Sequence, residues 1–240
     1  MPVTQNSISF NWTPGNGAFR VAYINSVNSF VAPIDGSTPI ANTVWANAGQ
    51  QAIYIGTGNS VTVTGLSPNT TYYGRVYEFN GVGIDSIYLT TTAFLNPNSI
   101  TTLSATPTVQ DSLLGFSGVG QTSFTLTWTL GNAANRAVYI NSVNSFINPV
   151  NGTVPVANST WLNLGQQAVY VGPSGNITVT GLAPNTTYYL RSYGFNGAGA
   201  TSVYITTTAT GNPASVTTQA ASGAVAPTVQ DSGIQFSGFT

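Results

Sequence analysis

An internal repeat is the feature that most restricts the fold of this chain. The hexapeptide Asn-Ser-Val-Asn-Ser-Phe stands at residues 25–30 and returns 116 positions later, at residues 141–146. The same offset joins Trp12 to Trp128, and the sequence between these landmarks needs no insertion. A chain of 240 residues is long enough for two small domains. We therefore expect two copies of one module in tandem.

Within each copy, apolar and polar residues alternate. Residues 8–12 and residues 124–128 both follow this pattern, which is the period of a strand with one buried face. Short runs rich in Val, Ile, Thr and Tyr are separated by turn signals such as Asn80-Gly81. No window supports a long amphipathic helix. The pattern predicts an all-β chain made of antiparallel β-sandwiches.

The composition excludes most kinds of catalytic and metal site. Charged residues make up only 4% of the chain, and it contains no His, Cys or Lys. Nucleophilic triads and the usual sites for zinc, haem and iron–sulfur clusters need His or Cys. No pair of carboxylates recurs in both copies either. We therefore expect no enzyme activity, no catalytic residue, no metal site and no cofactor.

Charge and hydropathy exclude two classes of partner. The formal net charge is −1, which provides no basic surface for nucleic acid. No stretch approaches the roughly 20 consecutive apolar residues of a membrane span. We therefore expect neither nucleic-acid binding nor membrane insertion.

The Leu-x-Pro-x-Thr-x-Tyr motif at residues 66–72, repeated at residues 182–188, resembles fibronectin type III modules, as does Trp12 in the second strand of the family pattern. The run at residues 56–81 is most similar to variants in secreted and cell-surface bacterial proteins. The resemblance implies a seven-stranded, immunoglobulin-like sandwich without a disulfide, in which Tyr72 is buried at a tyrosine corner. It implies an extracellular or cell-surface location. For function it is unspecific, because such modules serve as spacers, adhesins and assembly units.

One segment precedes the second copy and has no counterpart before the first. Residues 107–118 read Pro-Thr-Val-Gln-Asp-Ser-Leu-Leu-Gly-Phe-Ser-Gly, and by the family pattern they form strand A, the edge strand that opens a sandwich. Only four residues precede Gln5, which matches Gln121. A close copy, Pro-Thr-Val-Gln-Asp-Ser-Gly-Ile-Gln-Phe-Ser-Gly, stands instead at residues 227–238. One module thus lacks its first strand, and one orphan strand has the sequence which that module needs.

These observations predict five parts of the chain. They are a first β-sandwich without strand A over residues 1–102, a linker over 103–106, a complete second sandwich over 107–218, a linker over 219–226 and the orphan strand over 227–240. An unpaired sheet edge favours strand addition from another chain. We therefore expect head-to-tail donor-strand complementation between copies of this chain.

The alternation predicts which side chains take part in this complementation. Val229, Ile234 and Phe236 are the expected donor residues, and each would contribute about 1.5–3 kcal/mol on burial. A bulge is expected near residues 231–233, because Val229 is out of phase with the other two. The expected acceptor groove is formed by Ile8, Phe10 and Trp12, and Val109, Leu114 and Phe116 should play the donor part within the second module.

Closure within one chain is the competing arrangement. The linker at residues 219–226 spans at most about 28 Å, and folding back would require the two modules to lie side by side. The short joint at residues 103–106 is better suited to modules placed end to end. Geometry therefore favours a neighbouring copy, and a contact of this kind that does not close into a ring builds an open, pilus-like filament.

A binding module is the alternative function. The tandem sandwiches would then be adhesion or carbohydrate-associated spacers within a larger secreted protein, with glycans or a host surface as the partner. Trp45 and Trp161 are its candidate contacts, and packing under the long segment after strand C is the other interpretation of these two residues. Asn69 and Asn185 begin Asn-x-Thr sequons, at which we do not expect glycosylation.

Overall fold

Seven strands form the sheets of the first half of the chain. The computed structural model describes residues 3–223. The strands are β1 (Ile8–Asn11), β2 (Phe19–Asn25), β3 (Gln51–Gly56), β4 (Ser60–Val63), β5 (Thr71–Asn80), β6 (Ile87–Leu89) and β7 (Asn98–Thr101). One sheet contains only β1 and β4, while the other has the order β3-β2-β5-β6, with β7 also paired to β5. We call residues 3–102 the first module.

Eight strands form the second half, which we call the second module (residues 107–218). They are β8 (Ser112–Ser117), β9 (Phe124–Thr129), β10 (Asn135–Asn141), β11 (Gln167–Gly172), β12 (Asn176–Val179), β13 (Thr187–Asn196), β14 (Val203–Tyr204) and β15 (Ala214–Thr217). One sheet has the order β12-β9-β8, and the other the order β11-β10-β13-β14, with β15 on β13. The predicted all-β fold is confirmed, and the only helices in residues 3–223 are two single turns of 3-10 helix.

Each module has two apolar clusters. The first lies between the two sheets and contains the inward residues of the alternating strands, such as Phe124 and Leu126 of β9. The second lies on the outer face of the larger sheet, where Tyr77 and Tyr88 pack with Val21 of β2. Because β2 is covered on both faces, residues 20–25 are buried without interruption. The long segment between β2 and β3 contributes Phe30 to this outer cluster.

The tyrosine corner expected from the sequence is present in both modules. Tyr72 and Tyr188 are buried. Their hydroxyl oxygens accept hydrogen bonds from the backbone N–H groups of Ser67, at 3.0 Å, and Ala183, at 2.9 Å. Each bond closes the turn that leads into β5 or β13, and so fixes where the long strand of its module begins.

Buried tyrosines predict a loss of stability in alkaline solution. Burial raises the pKa of Tyr23 and of Tyr204 to about 12, with smaller contributions from neighbouring tyrosines. Between about pH 10 and pH 12 the unfolded chain loses these protons while the folded chain keeps them. Stability should therefore be complete below pH 10 and fall above it, by about 1.4 kcal/mol per pH unit for each tyrosine. Chemical denaturation at pH 9, 10 and 11, together with ultraviolet titration of tyrosinate, measures this. Equal unfolding free energies at the three pH values would contradict it.

Candidate strand-acceptor groove

Strand β8 closes one edge of the second module and shows what strand A does there. Its register against β9 shifts between Ser112 and Gly115. This bulge lies in the segment equivalent to residues 231–233, where the sequence predicts one and which are outside the described residues. After the bulge, Leu114 is buried in the core and Phe116 packs against its edge. Val109, in contrast, is 54% exposed, so the expectation that it is an apolar anchor is wrong. It precedes the strand, in a turn whose backbone is bound by Asn132 instead.

Gln110 anchors the segment that leads into β8. Its Nε2 donates hydrogen bonds to the carbonyl oxygens of Ile205, at 2.9 Å, and Thr207, at 3.2 Å. Its Oε1 accepts one from the backbone N–H of Gly194, at 2.9 Å. A single buried side chain therefore binds strand A to the opposite sheet of the sandwich.

Asp111 is the second polar anchor and is fully buried. Its carboxylate pairs with Nε of Arg136 at 3.2 Å and accepts hydrogen bonds from Ser192 Oγ at 2.6 Å and from Gly131 N–H at 2.8 Å. Its backbone carbonyl accepts a bond from Asn212 Nδ2 at 2.8 Å. Sequence analysis did not identify either anchor. The signal was available, because the run Pro-Thr-Val-Gln-Asp-Ser is identical at residues 107–112 and 227–232.

The same edge of the first module is open among residues 3–223, since β1 pairs only with β4 there. A groove of about 710 Å³ lies between β1 and the segment around residues 89–100. Of the predicted acceptor residues, Ile8 is part of the core, whereas Phe10 and Trp12 are only partly buried and line the groove. Leu89 also lines the groove and is 55% exposed, whereas its counterpart Ile205 in the second module is 8% exposed.

Two asparagines that bind strand A in the second module are retained at this edge, whereas Ser192, which binds Asp111, is replaced by Val76. Asn96, the counterpart of Asn212, bonds both backbone groups of Val76, at 2.8 and 3.0 Å, just as Asn212 bonds those of Ser192. The third bond of Asn212, to the carbonyl of strand A, has no equivalent among the described residues. Asn16 is likewise exposed, at the position where Asn132 binds the start of strand A.

Glu78 binds the equivalents of two groups that Asp111 binds in the second module, namely Arg136 and the N–H of Gly131. Its carboxylate pairs with Nε of Arg20 at 3.0 Å and accepts bonds from Gly15 N–H at 2.8 Å and Gly17 N–H at 2.7 Å. Gly17 makes room for it, because a Cβ there would lie 2.6 Å from Glu78 Oε2. The first module thus neutralises its buried arginine without strand A.

The tryptophans proposed as ligand contacts are not at the surface. Trp45 and Trp161 are buried and pack edge-on against Tyr72 and Tyr188, with ring centroids 5.6 and 5.8 Å apart. No ring face is therefore available for a sugar or a partner, and the packing interpretation is the one that the structure supports.

The remaining site predictions concern exposed asparagines and the orphan strand. Asn69 and Asn185 are exposed in equivalent turns. Val229, Ile234 and Phe236 lie outside the described residues. Within residues 3–223, no group of three or more acidic residues is placed to hold a metal ion. In the same range, no helix has the length and apolar character needed to cross a membrane.

Comparison with known proteins identifies a family match in the first half of the chain. The model of the fibronectin type III domain family matches residues 1–92. No curated protein matches the chain. Among solved structures, the FN1–FN3 domains of chicken CNTN1 align with 90% of the chain at 13% identity and a TM-score of 0.43. A two-domain fibronectin type III segment of chicken tenascin aligns with 85% of the chain at 13% identity and a TM-score of 0.31.

The coverage of these structures differs. The alignment spans 64% of the chicken CNTN1 structure, less than two thirds of its length, and 93% of the tenascin segment. The family match covers the first module as far as β6, and the repeat carries the same strand order into the second module, where β8 is added. The chain therefore has the fibronectin type III fold, as a tandem of two such modules.

Proposed function

We propose that this chain is the structural subunit of an extracellular filament that grows head to tail by donor-strand complementation. Residues 227–238 of one copy complete the first module of the next. The observation that carries the proposal is the open edge of β1, beside a groove where Asn16 and Asn96 stand in place of asparagines that bind strand A in the second module. Tandem fibronectin type III modules are typical of extracellular structural and adhesion proteins, and the filament is the specific form proposed for this chain.

The contacts of strand A in the second module indicate what the donor would bind in the first. Gln230 corresponds to Gln110 and would reach the carbonyl oxygens of Leu89 and Thr91. The backbone carbonyl of Asp231 would accept the third bond of Asn96. Leu89, Thr91 and Asn96 line the groove, so these three partners would be available to the donor. The partners of the Asp231 carboxylate would not all be free, because Glu78 already binds Arg20.

Apolar burial would supply much of the remaining driving force. Ile234 corresponds to the buried Leu114, and Phe236 would pair with Phe10 as Phe116 pairs with Leu126. Each side chain would contribute about 1.5–3 kcal/mol. Val229 corresponds to the exposed Val109 and would therefore contribute little to this burial.

The path of the chain after the second module supports a neighbouring copy as the acceptor. At the end of the first module, Leu103 N–H bonds the carbonyl of Thr4, and Gln5 bonds Thr106. From there the chain enters strand A of the following module. The end of the second module repeats both contacts.

Because these contacts are repeated, residues 219–222 leave the second module in the same way as residues 103–106 leave the first. Gln219 N–H bonds the carbonyl of Gly120, at 2.9 Å, and Gln121 bonds Ser222, at 3.1 Å. The same course would deliver residues 227–238 to a module that follows the second one. In a homopolymer this is the first module of another copy.

The proposed function is structural, and no part of it requires catalysis. The carboxylates of Asp111 and Glu78 are both engaged with buried arginines and backbone N–H groups. The arginines of β5 and β13 are also occupied, since Arg75 and Arg191 bond the carbonyls of Thr90 and Thr206. These six charged groups therefore support the fold.

A Glu78→Gln variant should form filaments that resist denaturant better than wild type. The donor would bring the Asp231 carboxylate close to Glu78, and one arginine would then face two carboxylates. Removing the charge of Glu78 relieves this repulsion, and Arg20 would then rely on Asp231 of the donor for a carboxylate partner. We expect about tenfold tighter strand binding, equivalent to ~1.4 kcal/mol. Filament loss against guanidinium concentration measures it, with exposed Asp85→Asn as the control. A lower midpoint for Glu78→Gln than for wild type would contradict it.

Electron microscopy of the refolded full chain tests the proposal. Filaments with a repeat of two modules are expected, and excess synthetic peptide of residues 227–238 should shorten them by capping free grooves. Dispersed monomers at concentrations where both modules are folded would overturn the proposal and favour an adhesion or spacer function. Compact monomers whose groove is already closed would indicate that the donor binds within its own chain.

A further inference from the structure

Where strand A contacts the rest of the second module, one residue on each side of the contact has a left-handed backbone. Leu113, in the bulge of strand A, has φ 53°, and Gly211, which lies against it, has φ 66°. The N–H groups of Leu113 and Leu114 bond the carbonyls of Thr210, at 2.8 Å, and Gly211, at 3.1 Å. The bulge thus lies directly over the backbone at residue 211.

This contact is too close for a side chain at position 211. A Cβ added to Gly211 would lie 3.2 Å from Leu113 Cα and 3.4 Å from its backbone nitrogen. Contacts of that length require the opposing strand to move by a few tenths of an ångström. A leucine in the opposing strand resists such a shift, because its own Cβ restricts the left-handed conformation that it already occupies.

The first module has the opposite arrangement of leucine and glycine. Leu95 stands where the second module has Gly211, with a left-handed φ of 55°, and its side chain is exposed. Beside it, Phe94 is 93% exposed at the position of Thr210. The orphan strand in turn has Gly233 where strand A has Leu113. In both modules, the contact between the completing strand and the groove would therefore contain one leucine and one glycine.

We propose that Leu95 and Gly233 form a specificity pair, that is, two residues that together determine which strand the groove binds. With this pair the groove binds residues 227–238 of a second copy and excludes the internal strand sequence 107–118. This inference rests on the proposed function. Glycine at the bulge can move away from the Leu95 side chain, and its missing side chain leaves space for Leu95 and Phe94 to cover the donor. A donor with leucine at the bulge would keep its backbone in close contact with the Leu95 Cβ, because left-handed leucine cannot shift as freely as glycine. The pair keeps assembly head to tail, because strand A cannot compete for the groove.

Peptide competition with the full chain tests the pair. The chain is unfolded in guanidinium chloride and refolded by dilution with synthetic peptide 227–238 or with the same peptide carrying Gly233→Leu, and the sedimentable fraction is measured. With the wild-type chain, the concentration of substituted peptide that halves the sedimentable fraction should be at least about tenfold higher than that of the unsubstituted peptide. On a Leu95→Gly chain the two peptides should agree within about twofold. A Leu113→Gly chain, changed only in the internal strand, should still discriminate like wild type.

The outcomes separate the inference from the proposed function. If both peptides inhibit wild type equally, the specificity pair is wrong while donor-strand assembly stands. If Leu95→Gly discriminates as strongly as wild type, another part of the groove selects the donor and the pair is also wrong. If the chain does not polymerise and binds neither peptide, the proposed function fails, and this inference fails with it.

Discussion

Replacing Ile234 with aspartate should abolish filament formation. In the second module the corresponding Leu114 is buried among the core residues. A carboxylate at that position would have to enter an apolar core without a partner, which costs far more than one strand can contribute. Electron microscopy and sedimentation of the refolded variant should show no filaments at any concentration where wild type forms them.

Val229→Asp is the matched control for this variant. The substitution introduces the same charge on the same segment, but the corresponding Val109 is 54% exposed. Filaments of this variant should form, with at most a small change in the concentration required. If Ile234→Asp polymerises as well as Val229→Asp, residues 227–238 do not enter the groove in the register of strand A.

Asp111→Asn should destabilise the second module by about 3–5 kcal/mol, the cost of leaving one member of a buried ion pair alone. Arg136 is buried and has its only carboxylate partner among the described residues in Asp111. An amide in its place would also turn a donor toward Arg136 or toward the N–H of Gly131. The midpoint of guanidinium unfolding, followed by circular dichroism, measures the loss.

Asp85→Asn removes the same charge at an exposed position and controls for the change in net charge. It should alter the unfolding free energy by less than about 0.5 kcal/mol. An Asp111→Asn chain with a wild-type midpoint would mean that the ion pair with Arg136 contributes nothing to the module. The Gln110 anchor and the apolar residues of β8 would then account for its closure.

Local patterns in the sequence determined the fold. Alternation of apolar residues places one face of each strand in the core, as in β9, where Phe124 and Leu126 are fully buried. The tyrosine corner depends on a turn of a few residues around Tyr72, so its motif is visible in a short window. The repeat carried both predictions from one module to the other. The displaced strand was visible for the same reason, since residues 227–238 nearly copy residues 107–118.

The tertiary structure alone decided which side chains lie at the strand-A edge of each module. Glu78 and Asp111 reach equivalent arginines from different strands, and Leu95 meets the groove from a turn far from β1 in sequence. Such pairings depend on the distance between atoms that are many residues apart, which the period of a strand does not encode. Val109 shows the same limit, because a bulge and a turn override the alternation that made it look buried. Periodicity specifies which face of a strand is apolar, whereas packing specifies what covers it.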